Sequence, residues 1–175
     1  MEHSDQGPIS LGYRLGHVKN EGRVFRALVY NKGAAVLHML RRLIGDDAFT
    51  KGLRAFYAEH RYKKAGTDDL RRAMEAASGR SLERYFDRWV LDAELPRVRL
   101  TTTIKADAVE IGYEQLGEVF DLPVTFTLQY ADGTSEDIVV ALTEASGTAV
   151  LPARSQVRGV DVNRDDAALG TFERR

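Results

Sequence analysis

The sequence predicts an α+β fold, a helical unit of about four helices followed by a small antiparallel β-sandwich. Two changes along the chain carry that expectation. Between residues 26 and 95 apolar side chains recur every three or four positions, the spacing of one helix face. Beyond Pro96 they alternate every second position, the spacing of a half-buried strand. Charge divides at the same place, with +4 over residues 1–95 and −5 over residues 96–175. The expected organisation is a loop or poorly ordered lead-in over residues 1–25, a helical part over 26–95 and a β-sandwich over 96–175.

The lead-in holds Gly7, Gly12, Gly16 and Gly22 with Pro8 and no sustained period, which favours loop. The first helix is expected to begin around Tyr30–Gly33, with Gly33, Val36, Leu37, Leu40, Leu43 and Ile44 as its buried face. It opens with a tyrosine and a glycine and without a Ser, Thr or Asp in the cap position, an unusual start. Gly45 is a stop signal, and Asp46 is placed to cap a second helix carrying Phe49, Leu53, Phe56 and Tyr57 on one side. Thr67 is the expected cap of a third helix, with Asp68 and Asp69 in the turn where the dipole favours negative charge. Its inner face is Leu70, Ala73, Met74 and Ala77, and Gly79 closes it. Ser81 should cap a fourth helix with the stripe Leu82, Tyr85, Phe86, Trp89 and Val90.

After Pro96, Val98, Leu100, Thr102 and Ile104 alternate with polar neighbours, and Leu122, Val124, Phe126, Leu128 and Tyr130 do so more cleanly. Asp132-Gly133 then signals a tight turn before "EDIVVAL", a hairpin. Further apolar runs near Ala149–Leu151 and Val157–Val162 bring the expected count to about six short strands.

Composition excludes several classes. With 43% hydrophobic and 29% charged residues the chain has the profile of a globular protein able to build a core. It has no cysteine, so disulfides and cysteine-ligated zinc are excluded, while the compartment stays open. No apolar run reaches the roughly 18–20 residues of a membrane span.

Chemistry is sparse. None of His3, His17, His38 and His60 pairs with another at i, i+4, and no H-E-x-x-H occurs, so no metal site is expected. There is neither a G-x-S-x-G nucleophile motif nor a Gly-rich phosphate loop. The pairs Asp46-Asp47 and Asp68-Asp69 are explained by helix starts. Arg41, Arg42, Lys51, Arg54, Arg61, Lys63, Lys64, Arg71 and Arg72 are interleaved with acids, which favours solvated faces over nucleic-acid binding.

Taken in order, Tyr30-x-Lys32-Gly33-Ala34, "VLHMLRRLIGDDAF", "TDDLRRAMEAASGRSLERYFDRWV" and Pro96 resemble the M1 family of zinc aminopeptidases (gluzincins). The likeness runs from Tyr30 to Pro96, in the part that follows the family's metal-binding region. It implies that Tyr30 is catalytic, donating a hydrogen bond to the oxyanion formed when zinc-bound water attacks the scissile carbonyl. A phenol ionises near pH 10, so it donates at neutral pH without titrating. Lys32 and Gly33 would be structural, Gly33 admitting the close approach of another backbone, and Trp89 would anchor the helical part to the β part.

The resemblance has a gap. The family's H-E-x-x-H, its third-ligand glutamate and its G-x-M-E-N loop lie ahead of the tyrosine, and the 29 residues before Tyr30 contain none of them. The chain therefore looks like the C-terminal portion of a metallopeptidase, inactive by itself. It would hold no cofactor of its own, the zinc residing in the intact parent. Its expected partners are the missing catalytic half, a peptide substrate in the intact enzyme, and a second copy through apolar surface left exposed; neither nucleic acid nor a membrane is expected. The alternative is a non-catalytic protein-interaction module with the same architecture.

Overall fold

The structure is a computed structural model, and it describes residues 7–11 and 22–175. Most of the lead-in therefore lies outside the described residues. The chain divides into two units, Met1–Glu94 and Leu95–Arg175.

In the first unit a single-turn 3₁₀ helix, Ile9–Leu11, precedes helix α1, Gly22–Phe25. Helix α1 continues without a break into a π-helical segment, Arg26–Lys32, and then into α2, Gly33–Ile44. The missing cap at Tyr30 is thereby explained: no helix begins there, and the residues the sequence places at a helix start lie inside a longer helical run. Gly45, at φ +86°, ends α2 and leads straight into α3, Asp46–His60. Helix α4 spans Thr67–Ser78 and α5 spans Glu83–Phe86, which passes into a second π-helical segment, Asp87–Leu91.

The caps differ from the expected ones. Asp46 is the first residue of α3 and turns back onto Arg41 in a two-pronged pair at 2.6 and 2.7 Å. Gly66, not Thr67, precedes α4, and its N–H donates to the Asp69 carboxylate at 2.8 Å. Leu82, not Ser81, precedes α5, its N–H held by the Glu75 carboxylate at 2.8 Å. Short acidic side chains near a helix start compete for several orphan N–H groups, so sequence identifies the turn better than the residue.

The core of this unit is Val36, Met39, Leu40 and Leu43 from α2, Met74 from α4, and Leu82, Tyr85, Phe86, Trp89 and Val90 from the last helical stretch. Leu37, placed in the core by period alone, is 41% exposed, and Met39 takes its place. On α3 the buried residue is Gly52, while Leu53 and Tyr57 face solvent. A Cβ at Gly52 would stand 2.6 Å from the Met74 sulfur and 3.3 Å from backbone of α4, so glycine permits these two helices to meet.

The second unit is a β-sandwich. Strands β1 (Arg97–Ile104), β2 (Ala108–Gln115), β5 (Ser146–Pro152) and β7 (Thr171–Arg174) form one sheet in the order β5-β2-β1-β7. Strands β3 (Leu122–Tyr130), β4 (Ser135–Leu142) and β6 (Val157–Val162) form the other, in the order β4-β3-β6. Every pairing is antiparallel except β1 with β7, where Val98 lies opposite Phe172 in parallel register. Val98, Leu100, Val109 and Ile111 on one sheet, and Leu122, Val124, Phe126 and Leu128 on the other, are sealed from solvent. The expected hairpin is β3–β4, closed by Gly133 at φ +83° and by the Asp132 carboxylate accepting from Thr134 N–H at 2.9 Å. Gln115, buried, accepts from the N–H of Phe120 at 3.0 Å and donates to the carbonyls of Phe120 and Glu144 at 2.9 and 3.1 Å, fixing the loop that enters β3.

Candidate functional site

Tyr30 sits inside the π-helical segment Arg26–Lys32. A π segment carries i→i+5 bonds, is rare, and is found most often as a single turn at functional sites. Tyr30 is 64% exposed, and its ring is met edge-on by Phe25 with centroids 5.8 Å apart. Its hydroxyl has no hydrogen-bond partner among the described residues. The segment thus presents a braced aromatic ring whose donor is open to solvent.

Leu28 and Lys32 occupy the other side of the same segment, and both are buried. The Lys32 ammonium donates to Gly7 O at 2.9 Å and to Asp92 O at 3.2 Å. Burial pulls its pKa below the ordinary lysine value, partly offset by the Asp92 charge. The Ile9–Leu11 turn packs against both π segments, so three stretches distant in sequence converge behind Tyr30.

Among the described residues a Cβ at Gly33 would meet nothing within 4 Å, so none of them makes the close backbone approach that the resemblance implies there. Gly33 borders an apolar groove of about 420 Å³, lined by Val36, Leu40, Phe56, Leu70, Phe86 and Val90 among others. Trp89 is wholly buried, its ring tilted against Tyr85 at 6.3 Å.

Among the described residues no group of three or more His, Asp or Glu side chains converges in a way that could hold a metal ion. His38 is exposed, His60 lies against Phe56 with centroids 5.1 Å apart, and His3 and His17 fall outside the described residues. Of the two acidic pairs, Asp46 is engaged with Arg41, Asp68 with Arg71, and Asp69 with Arg72 and Gly66. The structure thus places Tyr30 on the exposed side of the π segment and Lys32, expected to be structural, on its buried side.

A helical unit followed in sequence by a β-sandwich is the architecture the resemblance calls for. The model of the Peptidase family M1 domain matches residues 2–89, and the chain belongs to that family. Aminopeptidase N of Lactococcus lactis is 35% identical over 104 residues, which are 56% of this chain and 12% of that protein. Glutamyl aminopeptidase of Bitis rhinoceros is 36% identical over 161 residues, 85% of this chain and 15% of the relative. Among solved structures, aminopeptidase A of Legionella pneumophila in complex with aspartic acid shares the fold, with a TM-score of 0.75 at 15% identity, over 89% of this chain and 19% of that one. The chain thus spans less than a fifth of the length of these relatives.

Proposed function

We propose that this chain is the C-terminal portion of an M1-type aminopeptidase and supplies Tyr30 as the donor that stabilises the oxyanion at the scissile peptide carbonyl. The observation that carries the reading is the exposed phenol, held on a π-helical turn by Phe25 and engaged by no acceptor among the described residues. A fixed donor aimed at developing charge costs little reorganisation at the moment of reaction. Among the described residues no donor set fits the zinc on which the family depends. The metal and the general base would come from the rest of the parent enzyme, and the chain alone would be inactive.

The test is release of an N-terminal residue from an aminoacyl-coumarin amide by the longer enzyme that contains this sequence. Tyr30→Phe is expected to lower kcat by about 10²–10³-fold with little change in KM. Unchanged kcat in a correctly folded Tyr30→Phe enzyme overturns the assignment.

A second reading, a non-catalytic interaction module, is favoured by the apolar groove beside Gly33 and by exposed Leu37 at its margin. It predicts that the isolated chain captures a protein partner in a manner insensitive to Tyr30→Phe but abolished by Leu37→Glu at the groove margin.

A further inference from the structure

We propose that Lys32 is a positioning residue for Tyr30: its buried ammonium ties the turn that carries the phenol to Gly7 and Asp92, and so fixes the direction in which the phenol is presented. This inference rests on the reading of Tyr30 as the oxyanion donor.

Lysine is among the residues least often buried, because its charge must leave water. Here Lys32 is 7% exposed and meets two backbone carbonyls, not a carboxylate. The Asp92 carboxylate is turned elsewhere, accepting from Arg88 at 3.1 Å and from the N–H groups of Ala93 and Glu94 at 2.6 and 3.2 Å. Asp92 O terminates the second π segment, where helix carbonyls lack partners and the dipole attracts a cation. Gly7 O comes from the lead-in, whose backbone lies directly on Leu28: a Cβ at Gly7 would be 3.1 Å from the Leu28 side chain.

Helical geometry completes the argument. Leu28 and Lys32 lie four residues apart and face inward together, while Tyr30, midway between them, faces outward. A helix held rigidly on one side of a turn cannot roll without carrying the other side with it. The ammonium is the polar pin of that anchorage and Leu28 its apolar one. A purely structural lysine would stabilise the unit without setting the phenol's environment, and that difference can be measured.

The first experiment uses this chain labelled with 3-fluorotyrosine, the Tyr30 fluorine resonance being assigned by its loss in Tyr30→Phe. In folded Lys32→Met the Tyr30 resonance is expected to shift or broaden, while those of Tyr113 and Tyr130 stay in place. Because the chain has no cysteine, Lys32→Cys supplies a single thiol. Alkylating that thiol with bromoethylamine in denaturant, then refolding, restores an ammonium at the same reach and is expected to return the resonance. An unmoved Tyr30 resonance in folded Lys32→Met overturns the proposal. Should Lys32→Met not fold, Lys32→Gln takes the same readout; if neither folds, the role is structural and the proposal fails.

The second experiment uses the longer enzyme. Lys32→Met is expected to lower kcat by about 10–100-fold with KM nearly constant. The double variant with Tyr30→Phe is expected to be no slower than Tyr30→Phe alone, as for two residues acting through one group. Multiplying losses overturn the positioning role. A harmless Tyr30→Phe instead refutes the oxyanion reading, leaving the fluorine result to judge the anchorage by itself.

Discussion

Tyr85 shows how one side chain serves two ends. Its ring is wholly buried against Phe86 and Trp89, and its hydroxyl donates to Val36 O at 2.6 Å, joining the last helical stretch to α2. A carbonyl has two lone pairs, so this bond need not displace a helical one. Tyr85→Phe keeps the packing and removes the neutral hydrogen bond to Val36 O, which predicts a loss of about 1 kcal/mol in urea unfolding monitored by tryptophan fluorescence. The stripe containing Tyr85 was legible in the sequence because its five residues recur at i, i+3, i+4, i+7 and i+8, the spacing of one helix face. The role proposed for Tyr30 rests on resemblance, since its π-helical setting leaves no mark in periodicity. Lys32, read as structural through the same resemblance, lies buried, a setting that residue type alone does not suggest for a lysine and that the two carbonyls brought to it from Gly7 and Asp92 make tolerable.

Between elements, the meeting of α3 and α4 depends on what Gly52 lacks. Alanine is the better helix former by about 1 kcal/mol. Even so, Gly52→Ala would press a methyl group onto the Met74 sulfur and α4 backbone, and neither can retreat from a filled core. Overpacking of this kind costs about 1–3 kcal/mol, so a net drop in thermal midpoint is expected, and a rise would show that Met74 finds another rotamer. Period analysis put Leu53 and Tyr57 on the buried side because it cannot see that the two helices cross at a glycine. The sheets were easier to read. Strand β3 declared itself through Leu122–Tyr130, whereas β7, only four residues long, joins β1 in parallel by long-range pairing that no local pattern encodes.

At the level of the whole molecule, acid response is set by carboxylates distributed over both units. Arg41 hydrogen-bonds Asp46, Gly66 N–H holds Asp69, the N–H of Glu94 holds Asp92, and the Thr134 side chain holds Asp132; each carboxyl is thereby kept below the ordinary aspartate range. A carboxyl with a lowered folded pKa binds its proton more weakly in the folded state than in the unfolded one. Its contribution is therefore complete above about pH 4, the unfolded aspartate value, and is lost as pH falls through the lowered folded values. Melting temperature is expected to decline steadily below about pH 4, and Asp69→Asn or Asp92→Asn to flatten that decline. A profile identical to the parent's would show that these carboxylates are spectators.

The two π segments have a consequence for how such a protein can change over generations. An i→i+5 turn is what an α-helix forms when it accommodates one residue too many without breaking. Losing or gaining a single codon within Arg26–Lys32 would therefore swing the residues on either side by about a quarter turn relative to each other, with no substitution anywhere. For a lineage carrying this helix, insertion and deletion become a means of re-aiming Tyr30, and chain length itself becomes a heritable dial on the direction of one side chain.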